Sequence, residues 1–337
     1  MKAILAAILA LPGSAAQAQD VIEIKLGTLA PKRSAWGNLL TDLREDWKKI
    51  SGGKVVVKIQ GDGIQGDEPV MVSKMRLGSL HAAAMTGVGL AEIAPEVFAL
   101  QMPMLLQSYE ELDFVMEKLG PRLEAILAEK EKGVVVLHWA DVGWVTFFGT
   151  KPIASLADLR KVKLGVWSSS TVEADVWKKE GVQVVPVAAT DILSALNSGL
   201  IDACSTTPLA ALSMQFFGVA PNMTDLRWAP LIGATVIDKR TWERIPESMR
   251  PALREAAKKI GGRFLTETRK LGDEAVRLMK DRKLQVHAVS EPARAEWERT
   301  VRKYYPDIMG KTIPPGLVQE IEKLRDEFRA SVKKEGK

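Results

Sequence analysis

The side chains in this chain that could do chemistry are few and widely spaced. Cys204 is the only cysteine, and the three histidines, His81, His138 and His287, stand in separate strand-like runs with no metal-ligand spacing between any two. A reactive thiolate needs a base and electropositive surroundings. The apolar neighbours of Cys204 supply neither, so it reads as a buried structural thiol. No internal disulfide can form. Neither a Gly-x-Ser-x-Gly elbow nor a His-Glu-x-x-His helix occurs. Cys204 and Asp202 are the only candidate groups for an enzyme, and the chain reads as a non-enzyme without cofactor or metal.

What the chain offers instead is binding groups. Residues 61–67 form a turn-rich stretch with three glycines that leads into a helix beginning at Glu68. It lacks the Gly-Lys-Ser/Thr ending of a nucleotide loop, so it reads as a turn lining a cleft. Asp67 and Glu68 suit a helix N-terminus, so capping competes there with ligand contact. Gly87 and Gly89 would let backbone amides approach a ligand. Lys32 and Arg33 supply cations in the loop 30–34. Trp144, Phe147, Trp167 and Phe216 are large rigid side chains of the kind that wall a pocket, or equally a core. Trp36 fits the core stripe of its helix better than ligand contact.

The elements that must position these groups alternate. Ile22, Ile24 and Leu26 read as a strand, Trp36, Leu39, Leu40, Leu43 and Trp47 as one helical face, and Val55, Val57 and Ile59 as a returning strand. Ser108 and Glu111 have the spacing of a helix-starting capping box, as do Ser155 and Asp158. Strand-like runs at 162–167, 182–187 and 201–205 alternate with helical ones at 170–179 and 190–197, and Gly199 stands where a helix stops. Strands are also expected at 134–139 and 144–148, with a turn at 141–143 between them, and at 231–237 and 284–289. Residues 246–283 read as one long helix. The alternation implies an α/β fold with parallel strands, and ligands in such sheets sit at the carboxyl ends of strands. Those ends carry Gly165, Trp167, Thr206 and Thr207.

A chain of 337 residues exceeds what one core usually serves, so two domains are expected. The charge is nearly balanced, 47 basic against 42 acidic residues, and no basic block is interleaved with aromatics. Nucleic acid is not an expected partner. Lys2, the apolar run 3–11 and Ala16-Gln17-Ala18 read as a secretory signal cleaved after Ala18. The mature protein is therefore expected to be exported and periplasmic, with membrane contact only through a partner.

Taken in order, the segments Asp158-Leu-Arg-Lys-Val-Lys-Leu-Gly-Val-Trp167, Pro186-Val with Thr190, Ala195-Leu-Asn-Ser-Gly-Leu-Ile-Asp202, Pro208-Leu-Ala-Ala and Gln215 resemble the TRAP-transporter solute-binding proteins of the C4-dicarboxylate type. So do Lys25-Leu-Gly-Thr-Leu-Ala-Pro31, Gly66-Asp-Glu68, Met75-Arg-Leu-Gly78, Pro103 and Tyr109-Glu-Glu-Leu112. The resemblance spans roughly residues 21–290. It implies a two-lobed type II periplasmic-binding fold, with a small organic solute in the interlobe cleft and a TRAP membrane permease as partner. One lobe would take 21–143 with 233–270, the other 144–232 with 271–337.

Relatives that bind organic acids carry an arginine at the position of Gly165 and an asparagine at that of Thr207. An arginine fork there holds a carboxylate through paired charge-assisted bonds; glycine cannot. Three readings stay open. The anchor has moved to Lys32 or Arg33; the pocket takes a less charged ligand walled by Trp144, Phe147, Trp167 and Phe216; or a metal bridges an acid to Asp67, Glu68 or Asp141.

Overall fold

The computed structural model describes residues 21–168, 171–311 and 313–335, so the leader expected at 1–18 lies outside the described residues. β1 (Ile22–Thr28) buries Ile24 and Leu26. The Ser34 hydroxyl accepts the Gly37 amide and starts α1 (Ala35–Ile50), which buries Trp36, Leu39, Leu40, Leu43 and Trp47 along one stripe. β2 (Val55–Gln60) returns parallel to β1. α2 (Glu68–Leu77) begins at Asp67 and ends at Gly78, whose φ of 76° is a left-handed cap suited to glycine. β3 (Ala82–Thr86) pairs parallel to β1 on its other side.

The glycines after β3, expected to let backbone amides approach a ligand, are part of a helix. They open α3 (Gly87–Ile93), capped by the Thr86 hydroxyl. A 3-10 turn at Pro95–Gln101 and α4 (Tyr109–Glu129) follow, the latter started by Ser108 as its spacing predicts. β4 (Val134–Gly149) is then one strand of 16 residues, where two strands and a turn were expected. The turn signal at 141–143 is a register shift inside the strand, with Gly143 at φ +112°. A bulge of this kind bends a strand without ending it.

The second half alternates as the sequence predicts: α5 (Leu156–Leu159), β5 (Lys163–Trp167), α6 (Thr171–Lys179), β6 (Gln183–Val187), α7 (Ile192–Asn197), β7 (Ala203–Thr206) and α8 (Pro208–Ser213). After β8 (Asn222–Asp225), β9 (Ala229–Asp238) returns through the molecule with every residue buried. α9 (Lys239–Arg244) leads to α10 (Arg250–Lys280), whose 31 residues run about 46 Å. β10 (Gln285–Ala288), α11 (Glu291–Lys311) and α12 (Pro315–Glu335) close the described chain.

One sheet runs through both lobes in the order β2-β1-β3-β9-β4-β7-β5-β6, with β8 joining β4 to β10. β4 and β9 are the crossing segments. They lie antiparallel from Val134–Asp238 to Val145–Ala229; from Thr146 onward β4 leaves β9 and pairs with β7. Helices cover both faces of the sheet, over two apolar cores. The burial of β9 on both faces explains its almost uninterrupted apolar sequence. α10 packs on α1, β4 and α8, and so lies across both halves. α12 packs on α4, with Arg329 donating to both Glu111 carboxylate oxygens and Phe328 5.5 Å from Phe114. The fold is thus a two-lobed α/β structure.

Candidate functional site

Two chambers open where the strand ends of the lobes face each other. The larger has a volume of about 400 Å³ and is walled by Phe98, Trp167, Trp177, Trp228 and Pro230, among others. The smaller, of about 100 Å³, lies between Trp36, Met85, Phe216 and Phe264. Both are lined by Trp167, Thr206 and Leu231, so these three residues form the partition. Among the described lining residues of either chamber there is no lysine, arginine or histidine. Carboxylates are present in both: Glu92 and Glu173 in the larger, Glu68 and Asp141 in the smaller.

The acids of the smaller chamber are held by the fold. Glu68, only 1% exposed, accepts the Thr86 amide (2.7 Å), the Thr86 hydroxyl (2.7 Å) and the Gly89 amide (2.8 Å). Burial nevertheless outweighs these donors and pushes its carboxyl up to about 7. Asp141 Oδ2 accepts from Arg269 Nε at 2.8 Å, and the Arg269 guanidinium is held in turn by both oxygens of Asp113 and lies over the Tyr109 ring. Desolvation still raises Asp141 to about 6, and its Oδ1 has no partner among the described residues.

The larger chamber is built differently. Its floor is an aromatic cluster in which Trp177 stacks on Trp228 at 5.3 Å and Phe147 on Trp297 at 5.2 Å. Glu173, one turn before Trp177 on α6, accepts one long hydrogen bond among the described residues, from Trp177 Nε1 at 3.4 Å. Burial raises its carboxyl above the ordinary value. Gln101 turns its side-chain oxygen to the Ile232 amide.

The candidates named from sequence divide sharply. Glu68, Asp141, Trp167, Thr206 and Phe216 line the chambers, and Trp36 does so while also packing in the core and donating to Thr268. The others do not. Phe147 is wholly buried in the aromatic cluster, and Trp144 is buried against Tyr109 with Arg227 over its ring. Thr207 is fully buried as the cap of α8, its hydroxyl accepting the Ala210 amide. At Gly87 the Gln101 side chain fills the space a β-carbon would take, its amide nitrogen 2.5 Å from that point. Arg33 is exposed outside both chambers, and Lys32 is paired with Asp62 at 3.2 Å.

Gly165 does not leave open space. A β-carbon there would meet Ile201 Cδ1 at 2.7 Å, so Ile201 occupies that side and Gly165 lines neither chamber. Asp67 caps α2 through the Glu68 amide (2.8 Å), and its other oxygen accepts the Ala189 amide (2.9 Å) from beyond β6, which links the two lobes. Both its oxygens, like those of Glu68, are taken by protein donors, and the described residues hold no group of three or more potential metal ligands. Desolvation raises the thiol of buried Cys204 to about 12, which makes it a poor nucleophile.

Sequence reasoning missed Glu173, Trp177, Trp228 and Gln101. Glu173 stands three residues after Ser170, the spacing of an acid at a helix start, and this conceals it. Trp177 lies four residues further along the same helix, so one helical face carries both.

A family model of bacterial extracellular solute-binding proteins, family 7, matches residues 26–312. A solute-binding protein of Roseobacter denitrificans is 28% identical over 256 residues, covering 74% of this chain and 76% of its own. The C4-dicarboxylate-binding periplasmic protein DctP of Rhodobacter capsulatus is 23% identical over 297 residues, 86% of this chain and 87% of its own. Among solved structures, a TRAP periplasmic solute-binding protein of Ralstonia eutropha with bound (S)-2-acetolactate superposes with a TM-score of 0.84 at 20% identity. That match covers 90% of this chain and 99% of the other. No described helix is long and apolar enough to cross a membrane.

Proposed function

Since the chain belongs to family 7 of the bacterial extracellular solute-binding proteins and serves as a TRAP solute-binding protein, we propose that its solute occupies the larger interlobe chamber and is not anchored through a carboxylate. The observation that carries this reading is the lining itself. Relatives bind organic acids such as 2-acetolactate, and an acid ligand needs a cation or a set of free donors. The larger chamber has apolar and aromatic walls, two acids and no described cation. A carboxylate placed there would face like charges in a medium of low dielectric.

The lobes, 21–143 with 233–270 and 144–232 with the later residues, close on the solute by bending at the β4–β9 crossing. The closed form presents both lobes to a TRAP membrane permease. The leader at 1–18 would deliver the protein to the periplasm. Binding without catalysis fits the raised Cys204 thiol.

A thermal-shift panel on refolded, ligand-free protein tests the ligand class. A ligand at a hundred times its dissociation constant adds about 2.7 kcal/mol, enough to raise the melting point by several degrees. Apolar, amide-bearing and amine-bearing compounds should produce the shift, with simple mono- and dicarboxylates producing none. A shift with a simple acid that persists in chelator would overturn the reading.

A further inference from the structure

We infer that the solute carries an ammonium group on an apolar body, with Glu173 as its counter-ion and the tryptophans that line the larger chamber beside it. The inference rests on the reading that this chamber is the solute site. Deeply placed carboxylates elsewhere in the molecule have strong partners. Glu68 has three donors, Glu111 has Arg329 and the Gln107 amide, Asp141 has Arg269, and Asp238 has the Thr241 amide. Glu173 lines the chamber and, among the described residues, makes one weak bond to Trp177 and pairs with no lysine, arginine or histidine. Glu173 is half-buried at the chamber wall, and a carboxylate drawn out of water is costly unless it is paired or coordinated, so a cation entering the chamber would find it without a competing cation among the described residues.

The walls agree with a cation. Trp167, Trp177 and Trp228 all line this chamber; Trp177 and Trp228 stack on each other, and an indole attracts a cation most strongly where water is excluded. Glu92 adds a second negative charge on the facing lobe. A neutral apolar ligand would fill the volume and leave Glu173 unanswered; an acid would add to its charge. The raised carboxyl of Glu173 is what burial without a cation produces, and an ammonium partner would draw it back down.

Three probes of equal length separate the possibilities: 3-phenylpropylamine, 3-phenylpropan-1-ol and 3-phenylpropionate, titrated calorimetrically into the ligand-free full chain. A charge-assisted bond and a desolvated cation–π contact together should make the amine at least about tenfold tighter than the alcohol, with the acid weakest. Glu173→Gln should remove that advantage and leave the alcohol nearly unchanged. If Gln disturbs folding, Glu173→Asp should retain part of the advantage. Ala91→Trp, which fills the chamber from α3, should abolish binding of all three probes.

An amine that binds no better than the alcohol, or whose affinity Glu173→Gln does not move, sinks the ammonium inference; loss of binding in Ala91→Trp would then still support the chamber. Binding that survives Ala91→Trp sinks the choice of chamber, and the inference with it. A wild type that binds none of the three, or only the acid, likewise overturns the ammonium.

Discussion

The two chambers on either side of Trp167, Thr206 and Leu231 are made of the same ingredients, apolar walls and carboxylates without a described cation. They differ in what the carboxylates already do. In the smaller chamber Glu68 is saturated by backbone and hydroxyl donors, and Asp141 is tied through Arg269 to α4 and α10. In the larger, Glu173 has one weak bond among the described residues. Acid content alone would have made the chambers equivalent. The strength of the partners, three donors on Glu68 and a guanidinium on Asp141 against one long indole bond on Glu173, separates groups that hold the fold from one that can answer a ligand.

The strongest way to break this comparison is to release an acid of the smaller chamber. Arg269→Ala would leave Asp141, 1% exposed, without its only described partner. Removing one member of a buried ion pair costs about 3–5 kcal/mol, which urea unfolding at neutral pH would measure. Adding Asp141→Asn should recover much of the loss, because no buried charge is then left. Affinity for a ligand of the larger chamber should change little, since neither residue lines it. A large affinity loss without a stability loss would make Asp141 part of the binding site.

Glu68 gives a pH signature of the same structural kind. Its carboxyl rises from the ordinary 4.5 to about 7 in the folded protein, so between those values the folded state holds a proton that the unfolded state has released. The stabilising contribution is complete below pH 4.5 and is lost as pH rises toward 7, by about 3 kcal/mol in all. Glu68→Gln cannot titrate. The stability difference between variant and wild type should therefore move by about that amount in the variant's favour from pH 4.5 to 7.5. A difference that stays flat would mean that the three donors, not burial, decide the charge of Glu68.

Much of the fold was legible in the sequence because its signals are local. Ser108 and Ser155 start helices where their spacing puts them, and Gly199, at φ +69°, follows the end of α7. The crossing strand was misread because Asp141-Val-Gly143 carries a turn composition, and only pairing with β9 turns it into a bulge. The site was less legible for the same reason. Phe147 and Trp144 have the residue types of pocket walls, yet lie inside aromatic packing contributed by α4, α6, α11 and the residue before β9. Glu173 and Trp228 are far apart in sequence and meet only through the tertiary fold. No periodicity announces such a meeting. Gly165 shows the converse: the sequence shows a side chain missing, and only the structure shows Ile201 filling the position.

The smallest expected effect concerns the rim by which the lobes are joined. Asp67 caps α2 with one oxygen and accepts the Ala189 amide of the other lobe with its second. Asp67→Asn separates the two roles, because the amide oxygen can still cap while the amide nitrogen would face another donor at Ala189. The net value of such a bond is about 0.5–1.5 kcal/mol, so the closed population of the ligand-free protein should fall by roughly two- to thirteenfold relative to the open one. Energy transfer between dyes on Lys58→Cys and Lys161→Cys, exposed on opposite halves, would report it; the native Cys204 is buried and should escape labelling. Lower transfer in Asp67→Asn, restored by saturating ligand, would make this rim a latch between lobes and leave ligand recognition to the larger chamber. Unchanged transfer would reduce Asp67 to a helix cap, and closure would then depend on the ligand in the chamber alone.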